Sequence, residues 1–147
     1  MKKTLLFTFL FTGLFISASA QLVVQIDAGS RAPWGDIQSL TIDNKGKCRY
    51  MKYDVSTNAI KDSSSFFITE GQLQDFLKKA DESGFFTLNK EYHRGVDGAG
   101  IFIAINSNGK KNGVDLKNTD VATVNTLVAF LNNILQTKKI KIYYGQQ

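Results

Sequence analysis

The stretch from Glu91 to Gly100, Glu-Tyr-His-Arg-Gly-Val-Asp-Gly-Ala-Gly, gathers the chain's one histidine, an arginine, two acids and three glycines in a single run. Those residue types could move protons. An imidazole titrates near neutral pH, and Glu91 and Asp97 are the two carboxylates that a glycosidase would use as acid and base. A nucleophilic hydrolase needs more: a nucleophile, a base and a group to orient the base. His93 is the sole imidazole base, no G-x-S-x-G elbow occurs, and Ser63-Ser64-Ser65 reads as part of a solvated loop. Cys48 is the only cysteine. It excludes an internal disulfide and reads as a buried or half-buried strand residue, since a reactive thiol needs an activating environment.

Other chemistries fail on ligand count or spacing. One histidine is too few for an ordinary catalytic zinc site. Asn106-Ser107-Asn108-Gly109 lacks the acidic first ligand and closing glutamate of a calcium loop. Gly95, Gly98 and Gly100 miss the G-x-G-x-x-G spacing and precede a strand rather than a helix. No catalytic residue, metal site or cofactor is assigned on these grounds. Binding is the reading that survives. Its candidate residues are Tyr92, His93, Arg94 and Asp97 in this stretch, with Trp34 and Arg31 in a second loop, Ala28 to Gly35, that holds the only tryptophan and the only proline. Tryptophan is enriched in binding hot spots, and loops carry function more often than cores do.

The chain opens with an address. Lys2 and Lys3, the apolar run Leu5 to Ile16 and Ala18-Ser19-Ala20 form the basic, hydrophobic and small-residue parts of a secretory signal peptide. Cleavage is expected between Ala20 and Gln21, giving a periplasmic or secreted protein. The apolar run is shorter than the roughly 20 residues of a spanning helix. Gln21 stands where a bacterial lipoprotein needs cysteine, so no membrane anchor is expected. Removing residues 1–20 leaves 127 of 147 residues and takes away two lysines, lowering the formal charge from +5 to +3. Scattered positives and export together argue against nucleic acid as a partner. A mature chain of this length makes one domain with a real core.

Hydrophobic period and turn chemistry place the elements. Leu22 to Asp27 alternates as a half-buried strand. Ile37 to Asp43 and Lys47 to Asp54 form a hairpin across Asn44-Lys45-Gly46, and the serine-rich stretch Val55 to Ser65 reads as a connecting loop. Thr69 and Gln72 form a capping box, Ile68 and Leu73 a hydrophobic staple, and Leu73, Phe76, Leu77 and Ala80 one apolar stripe. Gly84 stops that helix, and Phe85, Phe86 and Leu88 should tuck the chain back beneath it. Ile101 to Asn106 and Lys110 to Leu116 make a second hairpin across Asn108-Gly109. Asn118 or Thr119 should cap a second helix with Val121, Val124, Val128, Leu131 and Leu135 along its stripe, widened by Leu127, Phe130 and Ile134. Lys139 to Tyr144 alternates again and reads as a last strand showing Lys139, Lys141 and Tyr143 to water. The expected fold is α+β, an antiparallel sheet of about five to six strands with two helices packed on one face.

Several short motifs lie in a suggestive order: Gly29 through Gly35 into Leu40-Thr41-Ile42-Asp43, Leu73 to Leu77, Gly84-Phe85-Phe86-Thr87-Leu88, Gly95-Val96-Asp97, and Ile103-Ala104-Ile105 with Asn108-Gly109. With the final leucine-rich helix, this order resembles the emfourin-type inhibitors of thermolysin-like metalloproteases and small exported bacterial domains of unknown function. The resemblance implies a compact α+β domain that presents loops to a protease, here Ala28 to Gly35 and the loop around Asp97. The export signal and the Ser30-Arg31-Ala32-Pro33-Trp34 segment depart from that family's pattern. The expected function is an exported, non-enzymatic binding module whose partner is an envelope or secreted protease. A small cell-envelope hydrolase acting on sugar or cell-wall substrates through Glu91, His93 and Asp97 is the alternative. A structural envelope protein that assembles along the Ile140 to Tyr144 edge is a third.

Overall fold

A computed structural model describes residues 20–30, 35–95 and 98–144. The proposed signal segment up to Ser19 lies outside the described residues, as do Arg31, Trp34 and Asp97. Among the described residues, no helix is long and apolar enough to cross a membrane.

The protein is α+β, built on one mostly antiparallel sheet and two helices. The described elements are β1 (Leu22–Ser30), β2 (Asp36–Asp43), β3 (Lys47–Asp54), β4 (Ile60–Phe67), α1 (Glu70–Glu82), β5 (Glu91–His93), β6 (Ala99–Ser107), β7 (Lys110–Lys117) and α2 (Ala122–Leu135). The strands form a single sheet in the order β4-β3-β2-β1-β6-β7-β5. All neighbours are antiparallel except β5 and β7, which are parallel. The seven described strands exceed the five to six expected from sequence, and the differences are informative.

Alternation is strict where the sheet is covered. Val24, Ile26 and Ala28 on β1, Leu40 and Ile42 on β2, and Ile101, Ile103 and Ile105 on β6 are buried on one face. Both helices pack there: Leu73, Phe76, Leu77 and Ala80 of α1 meet Val124, Leu127, Val128, Leu131 and Leu135 of α2 and the strands in one core. The opposite face, with Gln25, Asp27, Ser39, Thr41 and Phe102, carries no helix among the described residues and is half-exposed.

Local chemistry sets the element ends as expected in most places. Thr69 Oγ1 accepts the Gln72 N–H at 3.1 Å, and Gln72 Oε1 accepts the Thr69 N–H at 2.9 Å, completing the capping box. Asn108 and Gly109 both adopt positive φ in the β6–β7 turn. Phe85 is fully buried in a short 3-10 turn over Phe85–Thr87. Asn112 secures that turn from β7. It is 9% exposed, donates to the carbonyls of Phe85 at 2.9 Å and Leu88 at 3.1 Å, and accepts the Gly113 N–H.

Five expectations are corrected. Val55 to Ser65 is not one loop: a turn over residues 55–59 leads into β4, which pairs with β3 from Lys47↔Phe67 to Tyr53↔Ile60. β4 lies at the sheet's edge and is exposed almost throughout, so serines serve it as well as apolar residues would. Ala28, Gly29 and Ser30 belong to β1 rather than a loop, and Glu91–His93 is a strand. Ala99 and Gly100, also expected in that loop, begin β6. Neither Asn118 nor Thr119 caps α2, whose N-cap is Val121 without a side-chain bond. Asn118 is committed elsewhere: a Cβ on Gly98 would lie 1.7 Å from its Oδ1. Finally, Lys139 to Tyr144 joins no strand, and Lys139 itself is left-handed rather than extended. Its outward and inward residues alternate as expected, but side-chain amides hold it in place.

Replacing Asn112 with alanine removes partners from two main-chain carbonyls at once. It should destabilise the fold by about 1–3 kcal/mol, read as a lower urea midpoint.

Candidate functional site

The strand register brings distant segments to one rim of the sheet. Ser30, the last described residue before segment 31–34, pairs with Ala99, which follows the 94–98 connection. One residue further in, a row crosses the sheet as Tyr53, Ile37, Gly29, Gly100, Lys117 and His93. His93 and Gly29 are three strand spacings apart in that row, about 14 Å. Gly35 closes the other side of segment 31–34: a Cβ there would lie 2.6 Å from the Cβ of Ser30. Gly29 has φ 143 and faces Asp36 so closely that a Cβ would sit 2.1 Å from its carbonyl oxygen. Only glycine fits that approach.

His93 projects from β5 on the open face and is exposed. Its Nε2 lies 3.1 Å from Asp115 Oδ2 of β7. Arg94 is exposed, and its N–H donates to Lys117 at 2.9 Å, carrying the β5–β7 ladder one residue further. Tyr92 turns the other way. It packs half-buried against the core, and its hydroxyl accepts the Asn89 N–H at 3.1 Å. Of the six residues singled out from sequence, His93 and Arg94 therefore stand at the rim's surface, Tyr92 supports it from beneath, and Arg31, Trp34 and Asp97 are outside the described residues.

The same rim holds a charged network that sequence reasoning missed. Asp36 and Asp54 are directly opposed across β2 and β3, and Lys61 bridges them at 2.6 Å and 3.1 Å. Lys52 adds a contact to Asp36 at 3.1 Å. Asp54 Oδ1 also accepts from Ser56 Oγ, Ser56 N, Thr57 N and Thr57 Oγ1, which folds the β3–β4 turn. Lys61 and then Lys52 hold the Asp36 carboxyl below the ordinary aspartate range. The Ser56 hydroxyl, then Lys61, and then the Thr57 N–H do the same for Asp54. The Asp54-x-Ser56-Thr57 spacing was the available signal, since aspartate at the head of a turn takes the N–H groups two and three residues on.

The arrangement limits the chemistry. Cys48 is fully buried on β3, on the covered face. His93 is on β5, five strand spacings away, or about 24 Å, so the imidazole cannot activate that thiol. Burial pushes the Cys48 thiol up to about 11. Glu91 sits on β5 opposite Asp115 in register. Among the described residues, no group of three or more His, Cys, Asp or Glu side chains is gathered closely enough to hold a metal ion. What the rim offers is a half-buried network of opposite charges on one face and a histidine–aspartate pair on the other, flanking two connections on adjacent central strands. No protein-family model matches the chain, and no curated protein matches it either.

Two measurements follow from these environments. A thiol reagent should reach Cys48 only through unfolding, at a rate on the order of a thousandfold below that in denaturant. For Asp36 and Asp54 the folded pKa lies below the unfolded one. Their contribution is therefore present above the unfolded aspartate value, about 3.9, and is lost as pH falls through the depressed values. Asp54→Asn should accordingly lose less stability than the wild-type chain when urea midpoints are compared between about pH 6 and about pH 2.5.

Proposed function

We propose that this chain is an exported, non-enzymatic binding module that meets a protein partner, an envelope or secreted protease, through the rim where β1 gives way to β2 and β5 gives way to β6. The Ser30↔Ala99 pairing carries this reading. Loops at separate ends of the sheet could not have served one interface. Loops that leave adjacent strands on the same rim can, and the rim adds the exposed Arg94, the exposed His93 on one face of the sheet and the Asp36–Lys61–Asp54 network on the other. A span of about 14 Å between His93 and Gly29 is the scale of a hot-spot cluster inside a standard interface.

A small hydrolase acting on sugar or cell-wall substrates is the second reading, and the His93–Asp115 contact is the observation that favours it. A base oriented by a carboxylate is two-thirds of a nucleophilic constellation. Cys48 lies five strands from His93 and cannot serve as its nucleophile, so the pair ranks below the binding reading.

The two readings separate on one set of variants. The chain from Gln21, with Arg31, Trp34 and Arg94 changed together to alanine, should lose at least about tenfold in affinity for, or inhibition of, the target metalloprotease. Lys45→Ala on the opposite rim should change neither. Wild-type protein that leaves thermolysin-like proteases fully active and binds no envelope protein would sink the binding reading. Hydrolysis of a cell-wall substrate that vanishes with His93→Ala would establish the other.

A further inference from the structure

Residues 139–144 lie along the groove between the covered face of the sheet and α2, held by contacts directed at their main chain. Gln38 donates to the Lys141 carbonyl at 2.8 Å and accepts the Tyr143 N–H at 3.0 Å. Asn132 of α2 donates to the Ile142 carbonyl at 3.0 Å and accepts the Ile142 N–H at 2.8 Å. The two amides copy the donor and acceptor groups of neighbouring strands and bracket the segment from both sides. Its one deep side chain is Ile142, 2% exposed. Lys139, Lys141 and Tyr143 face outward, and beside them the groove stays open over about 560 Å³, next to Asp36, Lys52 and Asp62. Such a site reads an extended backbone and one apolar side chain.

The segment reaches this groove by a sharp reversal. A 3-10 turn over Gln136–Lys138 follows α2, and Lys139 closes it at φ 57, a left-handed conformation disfavoured for any residue with a side chain. Opening that turn would carry the segment away from its own groove and relieve Lys139. The same amide bonds and the same Ile142 burial would then be available in a neighbour.

We propose that this groove is an exchange site: the 139–144 segment of a second copy of the chain occupies it, producing a reciprocal dimer hinged at residues 136–139. The occupant is fixed by chemistry, because the segment already satisfies all four amide bonds. Exchange replaces each contact with its equal, leaving the hinge and the loss of freedom on association to set the balance.

The hinge makes the idea testable in the full chain. Lys139→Val makes the left-handed turn harder and should favour exchange, whereas Lys139→Gly makes it easier and should favour the monomer. With two hinges per dimer, each worth about tenfold, the association constants should differ by about a hundredfold. Light scattering across micromolar to millimolar concentrations reads this directly. Adding Ile142→Asp to the valine variant should restore the monomer, because the segment can no longer seat. Gln38→Ala with Asn132→Ala should do the same and leaves the apolar core untouched if the aspartate variant fails to fold. Equal association of the valine and glycine variants would overturn the proposal, and so would a dimer that survives loss of the clamp.

Discussion

Two helices cannot cover seven strands. The outer strands of this sheet are six spacings apart, about 29 Å, whereas two packed helices at about 10 Å each cover about 20 Å. The remaining width has to be managed by other means. On the β4 side the chain abandons apolar alternation, so the edge strand is serine-rich and nearly all exposed. Between that edge and α2, the 139–144 segment serves as a third covering element, burying Ile142 and half-burying Ile140 and Tyr144. Burial pushes the Tyr144 hydroxyl up to about 12.

The shortfall also explains where polar groups are spent. Gln38 and Tyr50 lie on the covered face of β2 and β3, where helices no longer reach, and Gln38 donates to both the Tyr50 hydroxyl and the Lys141 carbonyl. An apolar residue at position 38 would remove both of these contacts to the segment's main chain and leave those groups to water. Near the rim, Asp36 and Asp54 face one another, with Lys61 between them, Lys52 on Asp36, and Ser56 and Thr57 donating to Asp54. Structure and surface charge are thus joined at the end of the sheet that carries the connections of interest.

What was legible in the sequence was local. The capping box at Thr69 and Gln72, the Asn108-Gly109 turn and the helix stripes depend on residues within a few positions, and the structure bears each out. β4 was illegible because an uncovered edge strand has no apolar face to produce a period of two. β5 is three residues long, and its parallel pairing with β7 is announced by nothing nearby. The 139–144 segment shows the intermediate case: its alternation correctly gives the buried side of Ile142, but the partner of Tyr143 is Gln38, 105 positions away. Asn118 looked like a helix cap because asparagine so often is one, yet its packing on Gly98 took precedence. The rim followed the same logic. His93 and Arg94 stood out by residue type, whereas Asp115 and Lys61 became visible only when register brought them alongside.

The pairing of β1 with β6 also bears on how the chain assembles. β1 to β4 form a meander of near neighbours, and β6 with β7 is a hairpin, so each half can organise locally. The seam between them joins residues about seventy positions apart, as Ser30 and Ala99 are, and a closure of that length is the slow step in a topology of this kind. The two halves therefore meet along a line that ends at the rim. Anything gripping both flanks of that line would hold the halves together and raise the folded state's share by mass action.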